Sequence, residues 1–309
     1  MKKIIFLFDG QGAFKPGVGK ELCNKYPKAK EMIDTSSTIL GYDLTEHLWG
    51  NKATETSSKT SIAQPAISTV SLAYAAVLND LGVISEISLG HSLGEVTAII
   101  YCGIVSFEDG IKIIQKRGEV MEREGKQGTM MAVIDIESKI LEDMCKNVSQ
   151  EISEPVVVAN INTQNQIVIS GSKDGMKKVA QLVAKNHGRG IPLRVGGAWH
   201  SPYLNNAAEE FNIFLDTIQF NKPTSKFYSI VDQKVLDNSS IIKDSLKRQM
   251  LSQVNWVSAI KNLKALEYNT FLEIGPSKIL KDLVLKIVPD VKSESTALFA
   301  DLETLVQNI

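Results

Sequence analysis

The chain has 309 residues, 43% hydrophobic and 22% charged, which is enough apolar material for a large core and excludes an intrinsically disordered chain. Thirty-four Lys and Arg against 35 Asp and Glu leave a formal net charge of −1. That balance argues against a general nucleic-acid or anionic-membrane binder, so any basic docking patch must be local.

The opening apolar run, Ile4 to Phe8, stops at Asp9. It is too short for an export-signal core and is expected to be a buried first strand, Lys3–Phe8. Ala-rich Ser61–Leu81 is predicted as a helix with Pro65 near its start, where proline is tolerated. It leads into a second strand, Glu86–Leu89. A further helix spans Phe107–Glu124, and the rhythm changes after Gly125 and Gly128, suggesting a hinge. Beyond them come a strand (Thr129–Ile136), a helix (Glu137–Asn147), a hairpin (Pro155–Asn162 with Gln166–Ser170), a helix (Asp174–Asn186) and a strand (Gly190–Val195). That βαββαβ order is the ferredoxin-like arrangement. Strands follow at Lys226–Ile230 and Thr270–Ile274. The expected fold is therefore α/β: a large domain with a parallel sheet from 1–127 and 197–309, interrupted by a small ferredoxin-like domain at 128–196. The cleft between them is the default ligand site.

No stretch approaches the roughly 18 consecutive apolar residues of a membrane span. Cys23, Cys102 and Cys145 are too scattered for a disulfide framework or a metal set, and the four histidines lack HExxH spacing. A reducing cytoplasmic setting is expected, with no metal and no other cofactor.

Ile87-Ser88-Leu89-Gly90-His91-Ser92-Leu93-Gly94-Glu95 puts an apolar strand before Gly-x-Ser-x-Gly and a helix after it. In that context the motif is a nucleophile elbow, its glycines permitting the strained turn that presents Ser92 Oγ. Serine needs a base within hydrogen-bond reach. His91 is its immediate neighbour and points elsewhere in a tight turn, which makes it a packing or pocket residue. His187 falls in a polar turn, and His47 in an ordinary helical stretch. His200 remains, in the loop Gly196-Gly197-Ala198-Trp199-His200-Ser201-Pro202, where the chain returns from the small domain. In Phe107–Glu124, Ile111, Ile114, Gly118 and Met121 form the core-facing stripe, and Arg117 adjoins it. Its guanidinium needs an anion: a structural carboxylate such as Glu119 or Glu95, or a substrate carboxylate gripped by two parallel bonds. The turn Gly10-Gln11-Gly12 admits three readings, a phosphate loop, an oxyanion donor or a plain turn. Nucleotide binding is the weakest, since both the P-loop Lys-Ser/Thr and the third dinucleotide glycine are missing.

Taken together, Gly10-Gln11-Gly12, Gly90-His91-Ser92-Leu93-Gly94-Glu95, Arg117 and Gly197-Ala198-Trp199-His200-Ser201 resemble the malonyl-CoA:acyl carrier protein transacylase family, which serves fatty-acid and some polyketide synthesis. Ala63-Gln64-Pro65-Ala66, Ala159-Asn160-Ile161-Asn162 and Glu273-Ile274-Gly275-Pro276 extend the likeness along nearly the whole chain. The resemblance implies an acylated Ser92 with His200 as base, the imidazole oriented by the main-chain carbonyl of Gln249. It implies an oxyanion hole from the Gln11 and Leu93 N–H groups, and Arg117 gripping the malonate carboxylate. His91, Met121, Asn162 and Trp199 would line the substrate pocket. The implied partners are malonyl-CoA and an acidic acyl carrier protein, met by a local basic rim drawn from Lys185, Arg189, Arg194, Lys112 and Lys116, and the implied enzyme is a monomer. Two features depart from the family. Asp9 stands where it usually has proline, which loosens the approach to the turn and adds a carboxylate near the donors. Trp199 stands where malonyl-selective relatives carry phenylalanine, and its bulk should still crowd an α-methyl group. Two rivals are an acyl-carrier editing hydrolase using the same dyad, which generally lacks the arginine, and an idle scaffold, which the intact site disfavours.

Overall fold

A strand that is apolar at every position is stable only where both of its faces are covered, and Ile4–Phe8 (β1) occupies such a place, all five residues buried. The structure is a computed structural model that describes residues 3–299 and 301–309. The remaining strands are β2 (Ile87–Gly90), β3 (Thr129–Ile134), β4 (Val156–Thr163), β5 (Gln166–Gly171), β6 (Arg189–Pro192), β7 (Lys226–Ser229), β8 (Lys234–Leu236), β9 (Val254–Asn255), β10 (Thr270–Ile274) and β11 (Lys292–Ser295). The large sheet runs β11-β10-β1-β2-β7-β8. It is parallel except for the edge hairpin partner β8. Alternate residues of β1 feed two cores. Phe6 and Phe8 pack with Ile67 and Val70 of the helix Thr60–Asp80 on one face, and Ile5 and Leu7 pack with Trp256, Ile260 and Leu280 on the other.

The helix Thr60–Asp80 is long and apolar enough to cross a membrane, but 78% of its most apolar stretch is buried inside the protein. It is a core helix, apolar around nearly its whole circumference for that reason. It begins one residue earlier than expected, which puts Pro65 in its second turn, where the ring leaves the Ser61 carbonyl without its helical N–H.

The second sheet has the order β6-β3-β5-β4-β9. Its first four strands with the helices Ser138–Ile152 and Lys173–Lys185 are the ferredoxin-like unit, all neighbours antiparallel. The expected βαββαβ order holds, while several ends shift. β3 stops at Ile134 because Asp135 turns the chain with φ 63°. β6 ends at Pro192, with one further bond beyond it from Leu193 N–H to Met130 O at 3.0 Å. The sheet also gains a fifth strand from outside 128–196, since β9 pairs in parallel with β4, so the large domain's returning chain completes the small sheet. Gly125 and Gly128 serve close packing. A Cβ at Gly125 would collide with the Trp199 ring, one at Gly128 would lie 2.6 Å from the Ala198 Cβ, and Ala198 N–H donates to Gly125 O at 3.0 Å. The outgoing and returning segments thus lie flush against each other.

The carboxyl ends of β10, β1 and β2 stand side by side, Phe8 in register with both Ile274 and Gly90. This is the edge at which open parallel sheets bind ligands. The elbow is packed against its neighbour with no room for a methyl group. A Cβ on Gly94 would strike the Phe8 carbonyl and stand 2.8 Å from the Asp9 carbonyl, whereas one on Gly12 would meet nothing within 4 Å. Gly94→Ala should therefore cost about 2–3 kcal/mol or more and lower the midpoint of thermal unfolding by several degrees. Gly12→Ala, read in the same melts, should leave it unchanged.

Candidate active site

Only His91 and Ser92 separate β2 from the helix Leu93–Tyr101, and the strain of the strand-to-helix turn falls on Ser92. It adopts φ 54°, ψ −105°, a conformation costly for a residue with a side chain and held here by the glycine packing on either side. Ser92 Oγ lies 2.7 Å from His200 Nε2. His200 is also held at positive φ, 54°, in the loop that returns from the small domain.

His200 Nδ1 is 3.0 Å from the carbonyl oxygen of Ser252. A carbonyl can only accept, so Nδ1 carries the hydrogen and Nε2 presents its lone pair to the Ser92 hydroxyl. The imidazole therefore donates to the Ser252 carbonyl, and the expected partner, the Gln249 main chain, is a second hydrogen-bonding neighbour of the ring, the weaker of the two. The helix Ser239–Gln249 ends in a turn in which Gln249 O accepts Ser252 N–H at 3.2 Å, and that turn brings the Ser252 carbonyl onto the imidazole.

Gln249 also works through its side chain. Its Nε2 donates to Ser92 O at 2.6 Å and its Oε1 accepts from Arg117 Nη2 at 3.0 Å. Arg117 is 1% exposed. Its Nη1 donates to Gln64 Oε1 at 2.7 Å, its Nη2 also reaches Ser92 Oγ at 3.2 Å, and its Nε has no partner. Among the described residues no carboxylate lies within ion-pair distance of it, so neither Glu119 nor Glu95 is its structural partner. Glu95, buried on the elbow helix, acts on it only through the field. Glu95 Oε1 accepts Ile230 N–H at 2.8 Å and the Ser229 hydroxyl at 3.2 Å, and burial still raises its pKa to about 7. Burial lowers Arg117 to about 10, with Glu95 opposing the shift, which leaves a cation at neutral pH whose direct hydrogen-bond partners are all neutral.

The main-chain N–H groups of Gln11 and Leu93 begin a short 3-10 turn (Gln11–Ala13) and the elbow helix, as helix-start donors whose partners lie outside the helix. Both residues line the same cleft as Ser92, of about 630 Å³, with His200, Arg117, Met121 and Trp199. The Gln11 side chain is anchored, its Oε1 accepting the Thr60 hydroxyl. His91 faces the cleft, its Nε2 2.9 Å from Asn162 Oδ1 of β4 and its ring 5.7 Å from that of Trp256. It is a bridge between the two domains, placed away from the serine proton. The Trp199 indole packs over Gly125 and Gly197 while lining the cleft. His47 and His187 lie elsewhere, His47 bonded to Thr56 Oγ1 at 3.2 Å and His187 in an exposed turn. Gln64 and Ser252 were not recognised in the sequence as site residues. Gln64 carried a usable signal, an amide on an otherwise apolar core helix, while the Ser252 carbonyl carried none.

A strained elbow serine, a Ser-His dyad and a paired set of helix-start amides on an α/β-hydrolase-like sheet with a ferredoxin-like insertion define a serine acyltransferase. The acyl transferase domain family matches residues 5–299. The malonyl CoA-acyl carrier protein transacylase of Bacillus subtilis (strain 168) is 34% identical over 312 residues, spanning 100% of this chain and 98% of its own length. Among solved structures, the malonyl CoA-acyl carrier protein transacylase of Clostridium perfringens superposes with a TM-score of 0.92 at 34% identity, covering 99% of this chain and 96% of its own. A malonyl-transacylase solved in complex with its type II PKS acyl-carrier protein superposes with a TM-score of 0.94 at 27% identity over the full length of both chains. The chain belongs to the malonyl CoA-acyl carrier protein transacylases of the acyl transferase family.

Burial first, then the nearby charge of Arg117, lowers the His200 pKa from 6.5 to about 3. The base is thus already neutral throughout the physiological range. In a pH profile of kcat/KM for Ser92 acylation, the imidazole inflection should fall below pH 5, away from 6.5. The unfolded chain binds a proton at this histidine between about pH 3 and 6.5 that the folded chain refuses, so this group should make folding stability fall as pH drops through that window.

Proposed function

We propose that the chain moves a malonyl group from malonyl-CoA to the phosphopantetheine thiol of an acyl carrier protein in two stages through an ester on Ser92. His200 Nε2 takes the Ser92 proton as Oγ attacks the thioester carbonyl. The Gln11 and Leu93 amides receive the developing oxyanion. Collapse expels coenzyme A, whose sulfur takes the proton from His200. The carrier thiol then delivers its proton to His200, attacks the ester and releases Ser92, which is reprotonated. The proposed chemistry uses side chains and main-chain amides of one chain and calls for no metal or other cofactor; we take the enzyme to be a monomer, and its setting to be the cytoplasm.

The observation that carries this reading is the buried, carboxylate-free guanidinium beside the nucleophile. Arg117 supplies the anion site that malonyl fills and acetyl does not, with parallel N–H groups suited to a carboxylate. An editing hydrolase would have no use for it. For the carrier, the exposed cations of the expected rim divide. Lys112 and Lys116 are already engaged, by Glu108 at 2.6 Å and Glu210 at 2.5 Å. Arg194, exposed at the cleft, remains the best placed to meet an acidic carrier.

Intact-mass measurement after incubation with malonyl-, acetyl- or methylmalonyl-CoA provides the test. A malonyl adduct should form on the unmodified protein, persist until a carrier thiol is added and be absent in Ser92→Ala. In Arg117→Ala the preference for malonyl over acetyl should fall by about 10²-fold, the scale of roughly 2–4 kcal/mol for losing one partner of a buried charged pair. Equal malonyl and acetyl loading on the unmodified protein would overturn the role of Arg117, and rapid release of malonate to water without carrier would favour the hydrolase. Trp199→Ala should raise relative methylmalonyl loading by about tenfold, within the range one methylene or methyl commands in a pocket.

A further inference from the structure

Two carboxyl groups lie beneath the donor loop with no cation to neutralise them. Asp9 is 1% and Glu273 0% exposed, and among the described residues neither has an ion-pair partner. Ser277 Oγ lies 2.9 Å from Asp9 Oδ1 and 2.6 Å from Glu273 Oε1, and it also accepts the Ile279 N–H at 3.3 Å. A hydroxyl has one proton to give. It cannot donate to two ionised carboxylates, so one of the two acids must itself donate to Oγ. Both Glu273 oxygens already have donors, Oε1 the Ser277 hydroxyl and Oε2 the Lys281 N–H at 2.7 Å, whereas Asp9 Oδ2 has no donor. The proton therefore belongs on Asp9, and the chain of bonds runs from Asp9 O–H to Ser277 Oγ and from Ser277 O–H to Glu273.

We propose that Asp9 is a neutral carboxylic acid whose hydrogen bond to Ser277 ties the Gly10–Gly12 loop to the end of β10, making it a positioning residue for the Gln11 amide. The surroundings fit this role. The Gly94 backbone packs on the carbonyls of Phe8 and Asp9, so movement of the first donor loop is felt at the second. Gly275, at φ 149°, leaves the space that Asp9 Oδ2 fills, since a Cβ there would collide with that oxygen. Burial above all, and then the approach of Glu273, hold the Asp9 carboxyl well above its ordinary range. Of the titratable groups around it, Glu273 faces it from β10 and Tyr74, a neutral phenol, from the helix Thr60–Asp80. His91 Nδ1 faces Gly10, and the Lys281 ammonium is turned away to Asp282 at 3.6 Å.

The inference rests on Gln11 being an oxyanion donor, so its test has a readout that does not pass through activity. Infrared spectra of the whole protein at neutral pH, with and without carboxyl-13C aspartate, should show a protonated-carboxyl stretch that shifts with the label and disappears in Asp9→Asn. Absence of that band would overturn the proposal. In single-turnover malonylation, Asp9→Ala and Ser277→Ala should each slow acylation about tenfold with less than a twofold change in KM, a fraction of the about 10²–10³-fold cost of deleting a donor outright. Asp9→Asn, whose amide N–H can make the same bond to Ser277, should recover most of that loss and abolish any alkaline decline that the unmodified protein shows from Asp9 ionising. A band present with Ser277→Ala acylating at the full rate would overturn the positioning role. Failure of the unmodified protein to take up malonyl would instead overturn the function, leaving the infrared result to stand or fall alone.

Discussion

The site is organised around a positive charge that the protein itself does not neutralise. Burying a guanidinium without a carboxylate is expensive, and Arg117 is kept charged by the amide oxygens of Gln64 and Gln249 and the hydroxyl of Ser92. Each of these neutral partners comes from a different element: the core helix Thr60–Asp80, the end of the helix Ser239–Gln249, and the elbow. The same Gln249 side chain that takes one guanidinium bond holds the Ser92 carbonyl with its amide hydrogen. Gln249 thus couples the anion site to the backbone of the nucleophile, so that a shift at one is felt at the other.

The parallel sheet makes this convergence possible. Adjacent parallel strands end at the same edge, so residues far apart in sequence arrive within a few ångströms of one another: Asp9 after β1, Ser92 after β2, Ser277 after β10. The small domain closes the cleft from above through β4, where Asn162 meets His91, and β9 links the two sheets. The glycines at 94, 125 and 275 share one physical role, letting backbone approach side chain or backbone where a methyl group would not fit.

Much of this was legible because it rests on local rules. The strand–Gly-x-Ser-x-Gly–helix context dictates the elbow geometry, and elimination among four histidines left His200. The βαββαβ rhythm showed in alternating hydrophobicity. Arg117 could be placed beside the core stripe from spacing, yet spacing could not choose between a structural and a substrate anion. The structure removes the structural candidates, Glu95 spending its oxygen on Ile230 N–H and Ser229, and leaves the substrate anion as the proposal. That Ser252 joins Gln249 as a partner of the imidazole was illegible in principle, because a main-chain carbonyl has no side-chain signature and its direction is set by how a helix ends. The contribution of β9 to the small sheet was missed for a related reason. Two residues carry no periodicity, and their pairing is fixed by tertiary packing.

The charge arrangement also suggests where selectivity is exerted. His200 must become an imidazolium as Ser92 attacks, and Arg117 is one of the charges that oppose this. In the proposed reaction a malonyl carboxylate seated on Arg117 would cancel that repulsion, and the bound substrate would make its own base a better proton acceptor. Acetyl-CoA would forgo the salt link and leave the full guanidinium field acting against the forming imidazolium. Glu95, with its pKa near 7, adjusts the same field from behind: neutral below that pH it leaves Arg117 at full strength, and ionised above it, it partly offsets the charge. The discrimination between acyl groups is then expressed in the transition state as well as in binding, because the anion that fills the pocket is also the counter-charge that the proton transfer requires.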